Sequence, residues 1–139
     1  MLERWEHFEN DRGGLGVRGF GDTEADAFEQ AALALTSAIT DPDGVAPRER
    51  VVFRCEATTN DLLLASWLDA VRAKMISSRM LFSRFEVWLD GTRLSAHAWG
   101  EPVNAERHEL RLKLKQARPE SSRVARHAEG WIAQAIMDF

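Results

Sequence analysis

Two runs of apolar residues at helical spacing, each set close to a strand-like stretch, constrain this chain more than any other feature. Phe28, Ala31, Ala32, Leu35 and Ile39 form one stripe, and Leu64, Trp67, Leu68, Val71 and Met75 repeat it. Residues three and four apart share one side of a helix, so each stripe needs an apolar surface to cover. Asp22 or Thr23 caps the first helix, with Thr23-Glu24-Ala25-Asp26 as a weak capping box, and Thr58-Thr59-Asn60-Asp61 supplies a second. The side opposite the first stripe carries Glu24, Asp26, Glu29 and Gln30. Matching stripes in successive strand–helix units place both helices on the same face of one sheet. The aromatic residues in the stripes are core residues in this reading, not a cofactor box.

The strands follow from alternation and punctuation. Trp5, His7 and Phe8 open the chain, a polar turn Glu9–Gly14 follows, and Leu15 to Gly21 makes a second short strand. Arg50 to Glu56 alternates, with Val51, Phe53 and Cys55 on one face. Phe82 to Leu89 and Arg93 to Trp99 flank Asp90-Gly91, a hairpin signal. Leu110, Leu112 and Leu114 alternate with Arg111, Lys113 and Lys115, predicting another strand with one apolar and one basic face. Pro119 to Ser122 interrupts the pairing, and Val124–His127 with Trp131–Met137 predicts a final hairpin. The expected fold class is α+β: a two-layer sandwich with two helices on one face of a mostly antiparallel sheet, in a single domain over residues 1–139.

Composition narrows the function classes. With 45% hydrophobic and 29% charged residues, the chain reads as an ordinary water-soluble domain. No apolar run approaches the roughly 20 residues needed to cross a bilayer. The charged opening Met1–Glu6 lacks a signal-peptide core, so a cytoplasmic address and no membrane partner are expected. Cys55, the single cysteine, lies inside a strand and is expected to be structural. The net charge of −4 does not advertise nucleic-acid binding. The basic stretch from Arg107 to Arg126 could meet phosphate, but the solvated face of a sheet is the simpler account.

The chemistry-bearing residues are few. Gly13-Gly14-Leu15-Gly16 lacks a P-loop lysine and precedes a strand instead of a helix. No nucleophile motif is present, and a hydrolase built on His108 with Glu106 or Glu109 would lack a nucleophile and an oxyanion site. Two stretches stand out. In Gly100–Leu110, Gly100 and Pro102 are expected to break the preceding strand, Asn104 to cap a short turn over Ala105–Arg107, and His108 to end the segment. At the other end, Asp138 stands beside Phe139, whose terminal carboxylate would be free. Two adjacent carboxylates suit a hard cation such as calcium or magnesium if a third partner or waters join them. A frayed tail is the competing reading.

These pieces in their order resemble the archease family. The resemblance rests on Trp5-Glu6-His7-Phe8, Gly16-Val17-Arg18-Gly19-Phe20-Gly21, Ala27 to Leu35, Asp41-Pro42 with Val45-x-Pro47-Arg48-Glu49, and Asp61-Leu62-Leu63 with Trp67-Leu68. Phe82-x-x-Phe85-Glu86-Val87, Gly100–Leu110, Lys115 and Asp138-Phe139 complete it. The resemblance implies a small accessory protein, not an enzyme, for an RtcB-type RNA-splicing ligase. The ligase guanylylates its own histidine and joins RNA ends in tRNA splicing and RNA repair; the accessory protein promotes that activation and turnover and meets RNA only indirectly. The resemblance also implies a metal site built from the acidic residue of a His-Thr-Ala-Asp motif, the penultimate aspartate and the C-terminal carboxylate. It marks Asn104, Arg107, His108 and Lys115 as partner-binding candidates.

The sequence departs from the family pattern at the metal site. Asp11-Arg12-Gly13-Gly14 stands where His-Thr-Ala-Asp is expected, so Gly14 replaces the liganding aspartate. Asp138 and Phe139 keep their places, and Asp11 is the nearby carboxylate that could swing in. Asn104 replaces an Asp, and Leu112 and Pro119 replace a threonine and a tyrosine. A site for calcium or another divalent cation is therefore expected to be weakened or lost, since affinity follows ligand charge and number. The alternative reading is a diverged interaction or small-ligand-binding domain that kept the scaffold and lost the metal.

Overall fold

A computed structural model describes residues 4–139; Met1–Glu3, part of the charged opening, lies outside the described residues. The elements run β1 (Trp5–Glu9), β2 (Leu15–Gly21), α1 (Glu24–Ile39), a 3-10 turn (Pro42–Gly44), β3 (Glu49–Glu56), α2 (Asn60–Ser78), β4 (Met80–Asp90), β5 (Arg93–Pro102), a second 3-10 turn (Pro119–Ser121), β6 (Arg123–His127) and β7 (Gly130–Met137). The α+β class is as expected, but the strands form two antiparallel sheets instead of one. Their orders are β1-β2-β7-β6 and β3-β5-β4.

Helix α1 explains why two sheets are needed. Its threonine cap, Thr23, accepts from the Asp26 N–H at 3.1 Å. Beyond the expected stripe, Ala27, Ala34 and Ala38 are also buried, so apolar surface wraps most of the helix. The helix packs on β1, β2 and β7 of one sheet and on β4 of the other. Its approach to β2 is at backbone distance: a Cβ on Gly19 would lie 2.2 Å from the Ala31 nitrogen and 2.3 Å from the Ala27 carbonyl oxygen. On its other side, the Glu29 carboxylate accepts from the Val87 N–H of β4 at 2.9 Å. The charged side predicted for α1 is thus partly turned to the second sheet, and burial raises the Glu29 pKa against the effect of that bond.

Helix α2 closes the core. Thr59 is its N-cap, accepting from the Leu62 N–H at 3.2 Å, one residue later than the Thr58 of the sequence pattern. Trp67, fully buried, donates its indole N–H to the Phe28 carbonyl at 3.0 Å. Its ring meets Phe53 and Phe85 edge-on. Two aspartates then fix the chain that follows β5. Asp61 accepts from the Val124 N–H at 2.7 Å, and Asp69 accepts from the Ala117 N–H at 2.8 Å. No helix among the described residues is long and apolar enough to cross a membrane.

The strand predicted at Leu110–Leu114 is not formed. The segment carries no regular secondary structure, and Arg111 and Leu112 donate to the Ile39 and Ala38 carbonyls at the end of α1. Leu114 is buried, whereas Leu110 and Leu112 are exposed. Alternation marks an extended chain but does not supply a neighbouring strand.

Candidate functional site

The Gly100–Leu110 segment is organised by a buried carboxylate. Strand β5 continues through Gly100 to Pro102 instead of ending before them, because Met80 and Leu81 of β4 still pair with Pro102 and Glu101. Glu101 is therefore carried inward and is 1% exposed. Its Oε2 accepts from the Ala46 N–H at 2.6 Å and from His108 Nε2 at 3.1 Å, and its Oε1 accepts from the Arg107 guanidinium. His108 Nδ1 accepts from the Asn104 N–H at 2.9 Å, which places the ring proton on Nε2. The Asn104 side chain accepts from the Glu106 N–H at 3.0 Å, forming the expected turn. The Ala46 N–H first, then Arg107, hold the Glu101 pKa down to about 2, against burial, with His108 adding a smaller contribution in the same direction.

This cluster has the chemistry of a clamp. Its carboxylate is saturated with donors and ionised, and its histidine has both ring nitrogens engaged. His108 is buried, whereas Asn104 is exposed with its side chain engaged in the local turn. Asn104, Arg107, whose side chain is about half exposed, and Lys115 are the members of the partner-binding set within reach from outside.

The second cluster lies at the end of β7. Leu15 pairs with Met137, so the glycine turn before β2 comes beside Asp138. Residues 115–118 run along the other side. Lys115 donates its N–H to the Asp138 carbonyl at 2.6 Å, Asp138 donates to the Gln116 carbonyl at 3.1 Å, and Arg118 donates to the Ile136 carbonyl at 2.8 Å. The end of the strand is therefore held in place up to Asp138. Phe139 is exposed.

Between the glycine turn and Asp138 stands Arg118. Its Nε and Nη2 donate to Asp138 Oδ1 at 2.8 and 2.7 Å, and Nη2 lies 3.4 Å from the Arg12 carbonyl oxygen. Gly14 has φ +82°, and a Cβ there would lie 2.7 Å from Ile136 Cγ2, 2.9 Å from the Met137 carbonyl oxygen and 3.1 Å from Arg118 Nη2. Only a residue without a side chain fits that spot unstrained. Asp11 is exposed. Among the described residues, no three His, Cys, Asp or Glu side chains converge as a cation site. With Gly14 offering no side-chain donor and Asp138 bound to a guanidinium, two of the three ligands expected from the family pattern are not available to a divalent metal, and the residues present fit one poorly.

Residues 5–139 match the family described as "Archease protein family (MTH1598/TM1083)". The chain belongs to the archease family. It is 33% identical to protein archease of Thermococcus gammatolerans, over 99% of this chain and 100% of that one. It is 32% identical to the Methanopyrus kandleri archease, over 97% and 99%. Among solved structures, it is similar to the solution structure of Methanobacterium thermoautotrophicum protein 1598, with TM-score 0.81, 26% identity, and coverage of 99% and 100%. A Thermotoga maritima crystal structure, described as an archease and possible chaperone, shares the fold at TM-score 0.61 and 13% identity, over 96% of this chain and 100% of that one.

Two residues of this archease site escaped the sequence reading. Glu101 lay within the distinctive segment but carried no assigned role; the acid beside Pro102, followed by Arg107 and His108, was its only local signal. Arg118 was legible only as one member of the basic Arg107–Arg126 stretch, with nothing tying it to Asp138. It is 20 residues from Asp138, and only the β6–β7 hairpin returns the chain to it.

Proposed function

We propose that this archease is an accessory protein that docks on an RtcB-type RNA-splicing ligase and promotes its guanylylation and turnover, without catalysis of its own. The observation that carries this reading is the presentation of Asp138. Backbone bonds to residues 115 and 116 and the Arg118 side chain hold it in place, yet it remains partly exposed. A fixed, accessible carboxylate suits insertion into a partner's site better than catalysis within the archease. A protein partner is also what the chaperone description of the Thermotoga relative implies. In this reading RNA is met through the ligase, in the cytoplasm.

Capture of the ligase encoded in the same genome, followed by a guanylylation assay, tests the proposal. Wild type is expected to bind the ligase and speed guanylylation, and Asp138→Asn to speed it less. Absence of both binding and any change in turnover removes the reading. Gly14 and the Arg118–Asp138 pair favour a second reading, an interaction domain that kept the scaffold and lost the metal. Binding of the ligase with no effect on its guanylylation would select it.

A further inference from the structure

We propose that the Arg118 guanidinium is the resident cation of the site at the end of β7, so that this archease presents Asp138 without a divalent metal. The inference deepens the accessory reading and rests on it only for its biological use. One guanidinium reaches a carboxylate, Asp138 Oδ1, and lies 3.4 Å from a backbone carbonyl oxygen, that of Arg12. Carboxylates and backbone carbonyls are the donor types that a hard cation gathers. A fixed organic cation is thus placed where the fold brings two oxygen donors together.

The occupancy is linked to the sequence of the glycine turn. A Cβ on Gly14 would lie 3.1 Å from Arg118 Nη2, as well as 2.7 Å from Ile136 Cγ2 and 2.9 Å from the Met137 carbonyl oxygen. An acidic side chain at position 14 would enter the space that the guanidinium now holds. A side chain at position 14 and the Arg118 guanidinium in its present place would therefore compete for overlapping space.

Arg118 is also well anchored for the role. Its N–H donates to the Ile136 carbonyl, and its own carbonyl accepts from the N–H and hydroxyl of Ser121 at 3.0 and 2.6 Å. The preceding residue, Ala117, is tied to Asp69 at 2.8 Å. The Arg118 side chain is 24% exposed. A metal ion would have to displace this ordered group or share the site with its positive charge.

Calorimetric titration of the full chain with calcium, magnesium and manganese chlorides tests the proposal without reference to any ligase. Wild type is expected to show no saturable binding tighter than a Kd of about 1 mM, the weak end of protein calcium sites. Its melting temperature is expected to be the same in EDTA and in calcium. Arg118→Asp removes the internal cation and adds a carboxylate; it is expected to melt lower in EDTA and to be raised by calcium. Arg118→Lys keeps a charge, guards against a variant that fails to fold, and is expected to remain indifferent to calcium. Saturable wild-type calcium binding that disappears in Asp138→Asn would overturn the proposal. So would an Arg118→Asp protein that folds and is indifferent to calcium. Ligase capture by wild type in EDTA is read separately: failure there and in calcium removes the accessory role and leaves the calorimetric result standing.

Discussion

Replacing Gly19 by alanine tests whether α1 is held between the two sheets. The added Cβ would lie 2.2 Å from the Ala31 nitrogen and 2.3 Å from the Ala27 carbonyl oxygen, both helix backbone atoms. Ordinary contact requires more than an ångström of additional separation, and no side-chain rotation can provide it. Moving α1 off β2 would press it toward β4, where Glu29 is bonded to Val87 at 2.9 Å. The strain thus has no free direction in which to relax. Overpacking of this kind costs about 3 kcal/mol, the upper part of the usual range. At about 3 °C per kcal/mol for a chain of this size, the melting temperature should fall by roughly 10 °C. The assay is urea unfolding followed by tryptophan fluorescence, with a fall in midpoint at unchanged slope. Gly44→Ala is the control, because nothing lies within 4 Å of its Cβ position, and it should be neutral or slightly stabilising. A Gly19→Ala protein within about 0.5 kcal/mol of wild type, the usual range for surface changes, would refute the placement of α1.

Two further outcomes follow from the core and the clamp. Glu101 has its pKa lowered from 4.5 to about 2 in the folded protein, so its contribution to stability is fully present above about pH 4.5 and lost as pH falls through about 2. The urea midpoint of wild type should therefore drop more steeply over that window than that of Glu101→Gln, and parallel curves would refute the clamp. Trp67→Phe removes the bond to the Phe28 carbonyl and leaves a small void among Phe53 and Phe85; about 2 kcal/mol should be lost in the same assay.

Local patterns were legible where neighbours in sequence are neighbours in space. The Thr23 cap, the Asp90-Gly91 hairpin, the Asn104 turn and the β6–β7 hairpin all involve residues a few positions apart. The stripe on α1 was read as one-sided because it followed the three- and four-residue spacing from Phe28 to Ile39. Ala27, Ala34 and Ala38 were not part of that stripe and are buried as well. The Leu110–Leu114 pattern misled for a related reason. Its alternation is real, but its backbone bonds go to the end of α1.

The sequence by itself determined the α+β class, the cap of α1, the hairpins, the loss of a side chain at position 14 and the family to which the chain belongs. The local features were legible because propensity, periodicity and turn chemistry act over a few residues; the family and the missing side chain at position 14 were legible through the order and spacing of its motifs. Only the tertiary structure decided that β2 pairs with β7 and that β5 lies between β3 and β4, dividing the strands into two sheets around α1. It alone put Arg118 between Gly14 and Asp138. The energy of that contact depends on a meeting between residues 14, 118 and 138, and strand register over the whole fold sets that meeting.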